Sequence, residues 1–359
     1  AKRDNPNNLV PELIPQHNVV IDAIGGTSAG GMTTMMCALY ALQGKVNSVK
    51  AVPEKPMDKQ NILYDSWVHL DDSENKKSFE KIWDDSDLKG KKAKIQSLFN
   101  TSPIDEIAKR AFKLDSGLTL KKQINALPSY ISKDLEVLLS HTLLRGIPLE
   151  VSFSTDPQKT RTDAPSHTSF EHYLVSHFKL NAKKVDKNKY LWLNPFDSSV
   201  REQMILSTIS TGAFPIGLKF RKFDSEQFND EYIKTVVSRN LERNFGLENP
   251  EIKDKINWGN FVKGFTSIGV DGGAMNNEPY GEVASILEHK FGKPKDSTDP
   301  YQPYGIIMID PFPDKTKDPK KYREADDLVS VVPPIIGALW DQSKIKRNET
   351  LQQHKDNDY

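Results

Sequence analysis

The sequence predicts an α/β protein, a three-layer α/β/α sandwich with a mostly parallel central sheet, and two observations carry that prediction. Short segments rich in β-formers recur along the chain, most of them closed by turn residues, and helical patterns lie between them. Alternation of this kind layers helices on a common sheet. At 359 residues, 37% of them apolar, the chain can bury one large core and is read as a single domain over 1–359.

The elements follow in order. NVVIDAI (18–24) is the first strand, and across a glycine-rich turn comes a helix over 30–43 with Gly44 as its stop. Residues 60–146 read as a helical insertion, containing LFNTSPIDEIAKRAF and DLEVLLSHTLL, that either covers a site or packs on the sheet. PLEVSFST (148–155) and KYLWLN (189–194) are strands, with a lysine-rich polar loop across 156–188. A helix at 200–210, a strand GFTSIGV (264–270), a helix at 280–291 and a strand YGIIMID (304–310) follow. A second polar loop over 313–327 and a helix at 333–346 complete the pattern, and no repeat of fixed period is present.

Composition excludes several classes. Forty-nine basic and forty-nine acidic residues cancel, so there is no bulk field for nucleic acid or an anionic membrane; any membrane contact is local and transient. The single cysteine, Cys37, can form no internal disulfide and fits a reducing compartment such as the cytoplasm, with export left open. No run approaches the roughly 18 apolar residues of a membrane span. The opening AKRDNPNN holds no apolar leader core, and Ala1 in place of Met is consistent with a segment upstream.

The chemistry begins at GGTSAGG. Gly26-Thr27-Ser28-Ala29-Gly30 matches G-x-S-x-G, in which a serine sits on a strained strand-to-helix turn with its hydroxyl exposed. Sterics explain the glycines: a tight bend brings the residues two before and two after the serine together, so a side chain at 26 or 30 is expected to clash. The following helix points its unpaired N–H groups at the turn, where Ala29 N–H is placed to stabilise an oxyanion. A glycine-rich phosphate turn is the rival reading, but neither the P-loop lysine nor G-x-G-x-x-G spacing is present.

A serine nucleophile needs a base. His141, His167, His172, His177 and His289 stand in helical or polar contexts and read as structural or surface residues. Asp271 is the better candidate, because an apolar strand delivers it at its C-terminal end and Gly272-Gly273 turn the chain at once. Its alternative is to start a turn or cap the next helix, a task that Asn276 and Asn277 can take instead.

Together these residues resemble the patatin-like phospholipases, which pair G-x-S-x-G with a distant D-G-G or D-G-A. Here the pair is Gly26 to Gly30 and Asp271-Gly272-Gly273, with LSTISTGAFPIGLKF (206–220) and DGGAMNNEP similar to further family stretches. The resemblance runs from about Val19 to Asp310 and implies an α/β/α sandwich with a Ser-Asp dyad: Ser28 as nucleophile, Asp271 as general base, no histidine, metal or organic cofactor. Implied with it is hydrolysis of lipid or other carboxylic esters. The family's oxyanion loop, D-G-G-G-x-R-G, follows a first strand well before the nucleophile; only 27 residues precede Ser28 here, so that strand and loop are expected upstream of residue 1. Residues Met32, Met35, Met36, Cys37 and Leu39 offer apolar surface to a pocket or to the sheet. Two alternatives stand beside this expectation: a non-catalytic lipid or acyl-group binder on the same scaffold, and an α/β-hydrolase triad using His289 or His354.

Overall fold

The computed structural model describes residues 18–43, 62–67, 78–90, 94–114, 117–152, 166–245, 256–257, 263–276, 278–293 and 302–309. Its strands are β1 (Ile21–Gly26), β2 (Ile131–Ser152), β3 (Ser166–Lys179), β4 (Leu191–Trp192), β5 (Arg221–Phe223), β6 (Ile256–Asn257) and β7 (Ser267–Asp271). The helices are α1 (Ala29–Gln43), α2 (Ile62–Trp67), α3 (Ser78–Ile82), α4 (Ser102–Ala111), α5 (Leu120–Asn125), α6 (Ser198–Thr211), α7 (Asp230–Phe245) and α8 (Tyr280–Phe291).

The α/β class holds, but the sheet is mixed. Seven strands are ordered β4-β3-β2-β7-β5, with β1 and β6 also on β2. Only β1 with β2 and β3 with β4 run parallel; β2 with β3, β6 and β7, and β5 with β7, are antiparallel. The expected mostly parallel sheet is therefore wrong, and the reason lies in β2.

DLEVLLSHTLL, expected as helix, is the middle of that strand. Leu135, Leu138, Leu139 and Leu143 fit helical spacing, yet both faces of the strand are covered: Leu135, Val137, Leu139, His141 and Leu143 are buried on one, Glu136, Leu138, Ser140 and Thr142 on the other. A strand buried on both sides shows no apolar-polar alternation, so its periodicity imitates a buried helix. The helical insertion thus ends with α5. Likewise part of the predicted 156–188 loop is β3, whose serines and histidines hide a strand pattern.

Smaller corrections follow. KYLWLN contributes only the two residues of β4, and residues 304–309 of YGIIMID make no ladder and leave Ile307 and Ile309 exposed. The predicted helices at 30–43, 200–210 and 280–291 are α1, α6 and α8. Gly44, the loop at 313–327 and the helix at 333–346 lie outside the described residues, as do residues 1–17.

Helices cover both faces of the sheet. Gly25 lies between Val283 of α8 and Leu138, and Arg239 of α7 reaches His177, which pairs with Leu138. On the opposite face Ser207 of α6 accepts from Ser176, which pairs with Leu139. The core between them includes Met35, Leu39, Val137, Leu139, Phe178, Met204 and Phe223, each burial worth roughly 1.5–3 kcal/mol. Tyr232 of α7 closes an edge of β3: its hydroxyl donates to Val175 O at 2.7 Å and accepts from His177 N–H at 2.8 Å. Helix ends follow local chemistry. Asp197 caps α6 by accepting from Ser199 and Val200 N–H, and α8 stops at Gly292 with φ 88°.

β3 occupies one edge of β2, and β1 and β7 share the other. β1 runs with β2 and ends with Gly26 beside Leu139; β7 runs against it and ends with Asp271 beside His141. The two C-termini therefore meet head-on, two residues of β2 apart, or about 7 Å.

Candidate active site

At that junction the chain leaves β1 through buried Thr27 and reaches Ser28, whose φ is 56°. A non-glycine residue in the left-handed region is strained, and here it turns the strand directly into α1. Gly26 is required by contact: a Cβ there would lie 2.4 Å from Gly30 O and 2.7 Å from Gly31 N. Gly30 differs from expectation. A Cβ at that position meets nothing within 4 Å, because the residue is exposed on the outer side of the bend.

Ser28 Oγ donates to Asp271 Oδ2 at 2.6 Å, across 243 positions of sequence. The carboxylate's other oxygen, Oδ1, accepts from Gly273 N–H at 2.8 Å, and Asp271 N–H donates to Ala213 O at 3.0 Å. So Asp271 both caps the short turn over Gly272–Ala274 and holds the serine; the two readings of this residue are compatible. Gly272 lies flat on β2, where a Cβ would sit 2.3 Å from Ser140 Oγ. Asp271 is fully buried, and that burial raises its carboxyl above the usual value, opposed by the hydrogen bonds from Ser28 and Gly273.

Five further residues position the pair, and the sequence singled out none of them for it. Thr211, the last residue of α6, accepts from Ser28 N–H at 3.2 Å and fills the space that Gly31 leaves open. Ala213 supplies the carbonyl that fixes Asp271. Thr27 donates to Asn276 O at 3.1 Å, so Ser140 donates to Thr27 in turn. Asn276 is buried and accepts from Glu278 N–H at 3.2 Å, while its amide reaches Glu282, which pairs with Arg243 at 2.6 Å. Asn277 lies outside the described residues, and the residue at the head of α8, Pro279, provides no side-chain cap. The signals for Thr211 and Ala213 lay in LSTISTGAF; nothing local marks Ser140.

The intrahelical ladder of α1 starts with Gly31 N–H to Thr27 O. Geometry thus leaves the N–H groups of Ala29 and Gly30, both exposed, at the positive end of the helix beside Ser28. Most of the helix's apolar residues pack inward: Met35, Met36 and Leu39 are buried, Met32 lies against the Gly212 position, and Cys37 is exposed.

The described histidines serve elsewhere. His141 Nε2 bonds Ser176 Oγ at 2.7 Å, and complete burial brings its pKa down to about 3. His177, lowered by burial, donates Nε2–H to Glu136 at 2.6 Å and accepts from Arg239 at Nδ1. His172 bonds Leu143 O, and His289 is exposed near the end of α8. His354 lies outside the described residues, as does the side chain of His167. Among the described residues no group of three His, Cys, Asp or Glu side chains is placed to hold a metal, and no helix is long and apolar enough to cross a membrane.

No family model matches the chain, and no solved structure matches it. It is similar to the uncharacterized protein y4iI of Sinorhizobium fredii (strain NBRC 101917 / NGR234), 23% identical over 370 residues that cover 95% of this chain and 49% of that protein. The chain spans about half the length of the curated relative it matches.

Proposed function

We propose that the protein is a serine acyl hydrolase of the patatin-like type, cleaving carboxylic ester bonds of lipids through a Ser-Asp dyad. One observation carries the reading: Ser28, strained at φ 56° on a strand-to-helix turn, donates its hydroxyl proton to a buried Asp271 at 2.6 Å. A structural serine needs neither the strained turn nor a buried carboxylate without a cation hydrogen-bonded to it. The patatin-like fold assignment rests on the same two motifs and on helices covering both sheet faces.

In the reaction, Ser28 Oγ attacks the ester carbonyl carbon as its proton passes to Asp271 Oδ2. The oxygen charge that develops is met by the N–H groups at the head of α1, those of Ala29 and Gly30. Collapse breaks the bond to the leaving alcohol, which takes the proton from Asp271. Water then adds to the acyl-enzyme, giving a proton to Asp271 and releasing the acid, and Ser28 regains the proton. Burial favours this role, since a carboxylate raised above its ordinary pKa is a stronger base.

The test is labelling of the full chain by a fluorophosphonate, together with hydrolysis of a soluble p-nitrophenyl ester. Ser28→Ala abolishes both, and Asp271→Asn lowers turnover by about 10²- to 10⁴-fold with the fold intact by circular dichroism. Undiminished hydrolysis in Asp271→Asn would sink the dyad.

A further inference from the structure

Two glycine notches interlock α1 with the end of α6. Thr211 enters the space over Gly31, and Met32 enters the space over Gly212, where a Cβ would lie 2.7 Å from Met32 Cε, 2.8 Å from Sδ and 3.4 Å from Cγ. Gly212 has φ −102°, outside the left-handed region that calls for glycine, so the thioether and not the backbone excludes a side chain there. Both contacts belong to the surroundings of the dyad. Thr211 accepts from Ser28 N–H and Ala213 O accepts from Asp271 N–H, and Met32 covers the one residue between them.

Met32 follows the nucleophile by one turn of α1. Its N–H donates to Ser28 O at 3.0 Å, an axial rise of about 5.4 Å. Side chains on a helix lean toward its N-terminus, which here means toward Ser28. Met35 and Met36 are buried in the core, whereas Met32 is half-buried. An apolar side chain that keeps some accessible surface therefore stands beside the serine, on the side of the α6 end.

The proposed attack assigns two of the three groups on the ester carbonyl carbon. Its oxygen faces the N–H groups of Ala29 and Gly30, and the leaving oxygen faces Asp271, from which it takes the proton. We infer that the third group, the acyl chain, runs over the seam between α1 and α6, and that Met32 determines which acyl chains fit, admitting straight ones and excluding those branched next to the carbonyl. A branch on that carbon is two bonds from the attacked atom and needs free space immediately beside Ser28, where the thioether already fills the notch. A straight chain can pass outward toward Phe214, exposed two residues beyond Gly212. Met32 takes no part in proton transfer, and its role rests on the acyl-hydrolase reading.

The experiment compares kcat/KM of the full chain on p-nitrophenyl butyrate and p-nitrophenyl isobutyrate. The two acids are isomers with one leaving group, and any intrinsic difference in their reactivity is common to every variant. Met32→Ala is expected to raise the rate on the branched ester relative to the straight one by at least about tenfold, the lower end of what a methylene in an apolar pocket is worth. Met32→Val, a smaller truncation, shifts the ratio the same way and keeps the test open should the alanine chain not fold. Met32→Leu, close in volume, keeps the native preference. A ratio unchanged in both truncations, or an equal fall on both esters, overturns the inference, since a methionine that only packs α1 on α6 affects the two esters alike. Fluorophosphonate labelling of Ser28 reads the dyad separately: a chain that neither labels nor hydrolyses either ester overturns the acyl-hydrolase reading and this inference with it.

Discussion

Gly26→Ala and Gly30→Ala form a matched pair that tests the elbow. Motif sterics alone expect both to be harmful, but the structure separates them. At residue 26 the added carbon would lie 2.4 Å from Gly30 O, 2.5 Å from Gly30 C and 2.7 Å from Gly31 N. All three are backbone atoms, so no side-chain rotation relieves the clash. Reaching an ordinary contact requires a shift of about 1 Å between the end of β1 and the first turn of α1. Overpacking of this kind costs about 1–3 kcal/mol. The same displacement moves Ser28, which lies between the two, and a 1 Å misplacement of a reacting group costs about 10²-fold in rate.

At residue 30, in the first turn of α1, there is no contact to relieve, and replacing a helical glycine by alanine leaves stability unchanged or raises it by up to about 1 kcal/mol. The assay is the urea midpoint of each variant, with m unchanged, beside its rate on a soluble ester. Gly26→Ala as stable and active as the unsubstituted chain would refute the steric account, and so would Gly30→Ala as unstable as Gly26→Ala.

Two pH dependences follow from the buried ionisable groups. Asp271 acts as a carboxylate and burial raises its pKa, so ester hydrolysis falls with decreasing pH along a limb lying above the ordinary aspartate value of about 3.9; a rate flat down to pH 4 contradicts this. His141 is held neutral, its pKa lowered from 6.5 to about 3, so its contribution to stability is full above pH 6.5 and is lost as pH falls toward 3, at about 1.4 kcal/mol per pH unit. Urea midpoints between pH 7 and 4 should show this slope in the native chain and lose one proton's worth of it in His141→Asn; equal slopes would disprove it.

What could be read from the sequence was what chemistry forces locally. A nucleophile on a tight bend needs glycine at 26, and an acid at a strand end needs a turn after it, so GGTSAGG and VDGG stand out from their surroundings. β1, α1, α6 and α8 were legible for a similar reason, since their ends carry glycine or capping residues. β2 was not, because Leu135, Leu138, Leu139 and Leu143 satisfy a helix and a doubly covered strand alike, and only pairing with β1, β3 and β7 decides between them. Thr27 and Thr211 were hidden differently. Their partners, Ser140 and Ser28, stand 113 and 183 positions away, and a hydroxyl residue carries no local sign of a distant contact.

The mixed sheet changes how the dyad is specified. In a parallel sheet, neighbouring strands deliver their ends side by side, and each end can shift along its own strand without meeting the other. Here β1 and β7 approach from opposite directions along one edge of β2, so their separation is set by two registers on a common strand. A slip of β7 by one residue would turn Asp271 to the other face of the sheet, and a slip by two would move it by about 7 Å, far beyond a hydrogen bond. The contacts that resist such slips surround the site: Gly272 against Ser140, Asp271 N–H on Ala213, and Thr27 between Ser140 and Asn276. Ser140 belongs to β2 itself, so the strand that carries neither nucleophile nor base is the ruler against which both are placed.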